Sequence, residues 1–171
     1  MALNACLAAA LMSFASVPAA EERPALDVAM QSALGLYLGE GLPSGCDGPH
    51  YGCAAGASIG IQVGLRLTNL IDVVAGFRRA WTDSPTRIDQ PALGVAFWPA
   101  TSGLILPRIY ALAGPLFVPG RTGVQAQAGL ELMVVPAKWF GIGVVGETAK
   151  GWMGGWGLGA LHAGVVMHLR L

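Results

Sequence analysis

The segment Leu161–Leu171, LHAGVVMHLRL, keeps an apolar residue on every odd position: Leu161, Ala163, Val165, Met167, Leu169 and Leu171. The even positions include His162, Gly164, His168 and Arg170. A period of two gives a strand one greasy face and one polar face, whereas a helix would scatter the same residues around its girth. This is the last stretch of the sequence. A strand here would leave a row of backbone groups bare unless the first strand closed against it. A closed β-barrel is the expectation.

Composition agrees. Of 171 residues 54% are apolar and 12% charged, against about a quarter charged in an ordinary soluble domain, and the mean hydropathy is +0.57. Yet no stretch beyond the N-terminal segment reads as a membrane helix. A long uncharged run there, Gln90–Pro107, is broken by Pro91, Pro99, Pro107, Gly94 and Gly103, and a proline inside a helix costs roughly 3 kcal/mol. High hydropathy without helical spans is what a membrane barrel predicts. Ten basic and ten acidic residues cancel, with no basic cluster, so nothing points to nucleic acid. No Cys/His cluster, phosphate loop or dinucleotide fingerprint is present, so neither a metal nor a cofactor is implied.

Residues 1–20, MALNACLAAALMSFASVPAA, have the apolar middle and small-residue end of a secretory signal, cut after Val17-Pro18-Ala19 or Ala20, which would remove Cys6. That leaves 21–171 as one barrel domain. Residues 26–39 read as the first strand, followed by a polar loop, Glu40–Gly52. Cys46 and Cys53 flank six residues there, and an exported chain could staple them as a disulfide. Residues 57–67 and 71–81 form the clearest hairpin, around Thr68-Asn69. A loop 82–89 leads to a strand with Leu93, Val95 and Phe97 outward, then the connection 99–103. In the fifth strand Pro107 cannot donate to a ladder, so either a bulge sits there or the strand starts at Arg108. A loop 115–122, a strand 123–135, the turn 136–138, a strand 139–148 and a loop 149–157 complete the chain before the closing strand. The fold class is thus all-β, an eight-stranded antiparallel up-and-down transmembrane barrel. Short and long connections would alternate between its ends, and strands of about 10 residues tilted about 45° match a bilayer core.

A soluble barrel would turn its apolar series inward. The polar series here carries few charges, namely Arg66, Asp72, Arg78, Arg108, Glu131, Glu147 and Arg170, interleaved with glycines such as Gly60, Gly64, Gly129 and Gly143. The chain has two lysines, Lys138 and Lys150, too few for a solvated sheet face. Glycine on the same parity as arginine suits a narrow lumen in which long side chains need room, and those seven charges are expected to form one paired network. His162 and His168 share that parity and would hydrogen-bond within it rather than hold a metal. Trp81 and Phe77 at one end, and Trp98, Trp139 and Phe140 at the other, are expected as interfacial girdles.

On this alternation and these turns the chain resembles the small eight-stranded outer-membrane barrels of the OmpA transmembrane-domain and OmpX type. It departs from them in ending on Leu171 rather than an aromatic residue. The resemblance implies residence in the outer membrane of a Gram-negative bacterium, as a monomer, with membrane lipids and the outer-membrane assembly machinery as partners. Eight strands enclose a lumen just large enough to be filled by side chains. The leading expectation is therefore a non-catalytic bilayer anchor whose outer loops, the Cys46–Cys53 loop and the Trp152/Trp156 loop, contact envelope components or a partner. One alternative is a lipid A-modifying enzyme, resembling palmitoyltransferase barrels through His50 in one outer loop and Asp83-Ser84 in the next. The other is a narrow gated porin-like conduit, opened by rearranging lumen ion pairs such as those of Arg78 and Glu131.

Overall fold

The computed structural model describes residues 25–39, 52–83 and 87–171. The expected signal segment, Cys46, His50 and Ser84 lie outside these residues. Eight strands run β1 (Leu26–Gly39), β2 (Gly52–Arg66), β3 (Ile71–Thr82), β4 (Arg87–Phe97), β5 (Ile105–Val118), β6 (Arg121–Ala137), β7 (Phe140–Met153) and β8 (Trp156–Arg170). Each pairs antiparallel with the next, and β1 closes on β8. Leu26 and Leu171 seal that seam by exchanging backbone hydrogen bonds of 3.0 and 2.8 Å.

The strands are longer than the sequence pattern suggests, spanning 11 to 17 residues, and the connections are correspondingly shorter. The expected loop 115–122 shrinks to Pro119-Gly120, with Gly120 at φ +77. The expected loop 149–157 shrinks to Gly154-Gly155, both at positive φ (55 and 91), the backbone that a two-residue hairpin turn demands. Trp152 and Trp156 are therefore strand residues, not loop residues. The expected alternation of short and long connections does not hold. Two of the turns at the end away from the termini are as tight as Lys138-Trp139 at the other end.

Pro107 sits inside β5 in regular register with Leu132, and neither a bulge there nor a start at Arg108 is needed. The N–H of Val135 bonds the carbonyl of Leu104 at 2.9 Å. Leu104 therefore turns its hydrogen-bonding groups toward β6, and by alternation Pro107 turns its own toward β4. Strand β4 has already ended at Phe97, opposite Ile109. The missing N–H thus falls where no partner strand exists. The register shift lies in β6 instead, between Val134 and Ala137, beside Pro136.

The two faces divide as the alternation requires. Leu34 is 74% exposed, Leu93 64% and Val165 55%, whereas Arg108 is 1% exposed and Glu131 and His168 are 0%. Among the described strand residues, only Arg79, Arg87, Asp89 and Lys150 carry charge on the outer face. Arg79 Nε and Arg87 Nη2 both bond Asp89, at 2.7 and 3.0 Å. An apolar exterior continuous around eight strands far exceeds the few hundred Å² that a soluble monomer exposes in one patch. The barrel spans a bilayer. Trp98 corrects the expected aromatic girdle: it is fully buried, while Trp81, Trp139, Phe97 and Trp152 face outward.

Candidate functional site

Inward-facing side chains fill the lumen as one connected polar ladder, which register and parity assemble. Glycines make the room for it. A side chain at Gly129 would run into the Tyr110 ring on the paired strand β5, and one at Gly35 into the ring of His162 on β8.

In the half farther from the termini, Arg78 of β3 grips Glu147 of β7 with both terminal nitrogens, and the Tyr110 hydroxyl donates to the same carboxylate. Arg78 Nη1 also donates to His162 Nδ1 at 3.1 Å. The same Nδ1 lies 3.2 Å from Glu147 Oε1, and Nε2 lies 2.9 Å from the Tyr37 hydroxyl. Gln31 links this cluster to the next. Its carbonyl accepts from Arg78 Nη2 and its amide donates to Glu131 Oε1, both at 2.8 Å. Glu131 accepts further from Arg108 Nη1 (2.8 Å) and His168 Nε2 (3.0 Å), and Arg108 Nη2 reaches Gln62 at 3.0 Å. The other nitrogen of His168 faces Asp27 at 2.9 Å. With a carboxylate at each ring nitrogen, His168 bridges two acids.

At the terminal mouth, Asp72 accepts from Trp98 Nε1 at 2.5 Å. The guanidinium groups of Arg108 and Arg170 each lie 5.7 Å from the Trp98 ring centre. Arg66 pairs in register with Asp72, and Arg170 with Asp27. The structure thus brings Arg78, Arg108, Glu131 and Glu147 into one network and places Asp72, Arg66 and Arg170 around Trp98. Cys53 is disulfide-bonded, and its partner lies outside the described residues.

Buried apolar side chains fill the rest of the lumen. Trp98, Leu106, Met133, Val74 and Val166 pack together among the polar groups, and Ile88, Leu116, Met153 and Leu158 pack around Tyr37 at the end away from the termini. The space between Gln31, Gln62, Arg78, Gln90 and Gln127 amounts to about 10 Å³, room for a single water. An arrangement of this kind can hold the wall rigid, but it offers no volume for a substrate.

The charge pattern of the sequence does not point to Asp27, Gln31, Gln62 or Tyr110. Asp27 stands at the start of β1 on the parity of Gln31, and that parity was the available signal. Tyr110 was hidden in β5, whose pattern the prolines blur.

No protein-family model matches the sequence, and no curated protein matches it. Solved structures do. Neisserial surface protein A superposes with a TM-score of 0.71 at 10% identity, covering 88% of this chain and 100% of that one. The attachment invasion locus protein Ail of Yersinia pestis gives 0.51 at 12% identity, covering 86% and 99%. At such identities the likeness is one of fold: this chain is built as a small eight-stranded outer-membrane β-barrel. Single-chain membrane barrels with an even strand count are the outer-membrane type, which places the protein in the outer membrane of a Gram-negative cell.

Proposed function

We propose that the protein is a non-catalytic monomeric anchor, held in the outer membrane with its termini on the periplasmic side. Its connections at the opposite end would contact envelope components or a partner. The observation that supports this most is the filled lumen: a core of bonded Arg, Glu, His and Gln packed among buried apolar side chains leaves the ends of the barrel as the surfaces free to act. Conduction would require breaking several buried charge-assisted bonds together, each worth roughly 1.5–3 kcal/mol. The enzyme alternative also loses ground at Asp83, whose carboxylate accepts from the Ala55 N–H at 3.2 Å and whose N–H bonds the Ala55 carbonyl. That side chain is occupied in holding the end of β3 to β2.

Residues 40–51 form the longest connection at the proposed outer end, and Cys53 just beyond them carries a disulfide. We assign its partner as Cys46, which would tie that connection into a closed loop. The test replaces residues 41–51 with a short Gly/Ser linker and compares proximity crosslinking on whole cells. The expected result is an intact, heat-modifiable barrel that loses its crosslinked envelope partners. An unchanged crosslinking pattern, or steady single-channel currents from the wild type in planar bilayers, would overturn the proposal.

A further inference from the structure

On the outside of the barrel, at the end away from the termini, a furrow of about 630 Å³ runs across β7, β8 and β1. Register explains it. Lys150 of β7, Gly159 of β8 and Leu38 of β1 stand side by side on the outer face. One row closer to the Gly154-Gly155 turn, Trp152 lies beside Gly157, and one row deeper Thr148 and Leu161 complete the wall. Two glycines in the middle strand thus interrupt a palisade of side chains that is otherwise continuous. Strand packing does not demand them: a Cβ at Gly157 would meet nothing within 4 Å, and one at Gly159 would make only ordinary contacts of 3.6 and 3.9 Å with Leu38.

The furrow also has a charge. Lys150 is the one cation on the outer face of a described strand that is not paired with a described carboxylate, and its ammonium lies 5.5 Å from the Trp152 ring centre. A lysine that merely snorkels to the interface accounts for the charge but not for the empty space beside it. Apolar walls of Leu38, Leu161 and Trp152 below a fixed ammonium match an acyl chain that hangs from a phosphate.

We propose that this furrow is a binding site for one lipid A molecule, with an acyl chain over Gly157 and Gly159 and a phosphate on Lys150. The choice of lipid rests on the outer-membrane placement proposed above, because the furrow opens into the leaflet at the end away from the termini. The site lies on the barrel wall and is independent of the loop contacts already described.

The test uses the intact barrel in neutral detergent, titrated with lipid A and followed by native mass spectrometry. The wild type should hold one lipid A per chain. Lys150→Gln should weaken binding about tenfold or more, as loss of a charge-assisted contact implies. Gly159→Leu and Gly157→Val should fill the furrow and abolish the adduct. Lys138→Gln, at the opposite end, should bind as wild type does. Equal binding by all four variants would overturn the site, and so would equally tight binding of phosphatidylglycerol. Heat-modifiable mobility of each variant separates the two failures. A folded barrel that ignores lipid A refutes the site, whereas a wild type without heat-modifiable mobility refutes the membrane-barrel reading itself.

Discussion

Glu131 is the side chain on which the lumen ladder turns, and Glu131→Gln removes its charge with little change in volume. The wild-type carboxylate is fully buried and accepts from Gln31, Arg108 and His168 at 2.8, 2.8 and 3.0 Å. A glutamine keeps one accepting oxygen and turns an amide N–H₂ toward groups that are themselves donors. It leaves the Arg108 guanidinium and the His168 ring with Asp27 as the nearest remaining acid on this chain of contacts. Breaking one side of a buried ion pair costs about 3–5 kcal/mol, because a charge is stranded in a medium that cannot solvate it. Replacing both partners with apolar residues is close to neutral. Urea unfolding of the barrel in lipid vesicles should therefore show a loss of about 3–5 kcal/mol for Glu131→Gln. In a cycle with Glu131→Leu and Arg108→Leu, the double variant should lose at least about 2 kcal/mol less than the sum of the single losses. A change within about 0.5 kcal/mol for Glu131→Gln, or strict additivity in the cycle, would refute the reasoning that the network is a paired and desolvated unit.

Four further outcomes follow from the same geometry. Trp98→Phe keeps the plug but strips the donor from Asp72, and should lower stability by about 1–3 kcal/mol in the same unfolding assay. Gly164→Ala places a methyl against Ala33 and the Ser32 carbonyl on β1 and should destabilise by about 1–3 kcal/mol. Gly146→Ala meets nothing within 4 Å and should leave the urea midpoint unchanged. In the β4–β5 seam, register pairs are found at Asp89↔Phe117 and then from Leu93↔Ala113 to Phe97↔Ile109, with Pro91 and Pro115 facing each other in the gap. Neither proline has an N–H to give. Amide exchange at Leu93 and Phe117, whose N–H groups face this seam beside the prolines, should accordingly be faster than at Ala128 and Val144 in the β6–β7 seam. Equal protection in both seams would contradict this.

Much of the fold was legible because a barrel wall between lipid and a charged lumen must alternate strictly, and β2, β3, β6 and β8 do so almost residue by residue. Strand ends were less legible. Gly151, Gly157 and Pro115 carry the signature of loops, yet the strands continue through these positions, sustained by hydrogen bonding to their neighbours rather than by hydropathy. Pro107 misled for a related reason: its cost depends on which neighbour its nitrogen faces, and that is a property of the register. The lumen charges were visible as a set, but their partners were not. Gln31 bridges two ion pairs and Asp27 completes a His168 bridge across strands adjacent only through closure. Trp98 was read as an interfacial anchor because tryptophan near a short turn usually is one, and only its even position on β4's inward parity distinguished it.

Whether the oily face meets lipid can be read by attaching an environment-sensitive fluorophore to single cysteines at Ile61, Leu93, Leu130 and Val165, and at Gln62 and Gln127, in barrels reconstituted with quencher-bearing lipids. The structure requires strong quenching at the first four positions and little at the two glutamines. Quenching at Gln62 and Gln127 with protection at Ile61 and Val165 would mean that the chain folds the other way out, with its aliphatic residues inside.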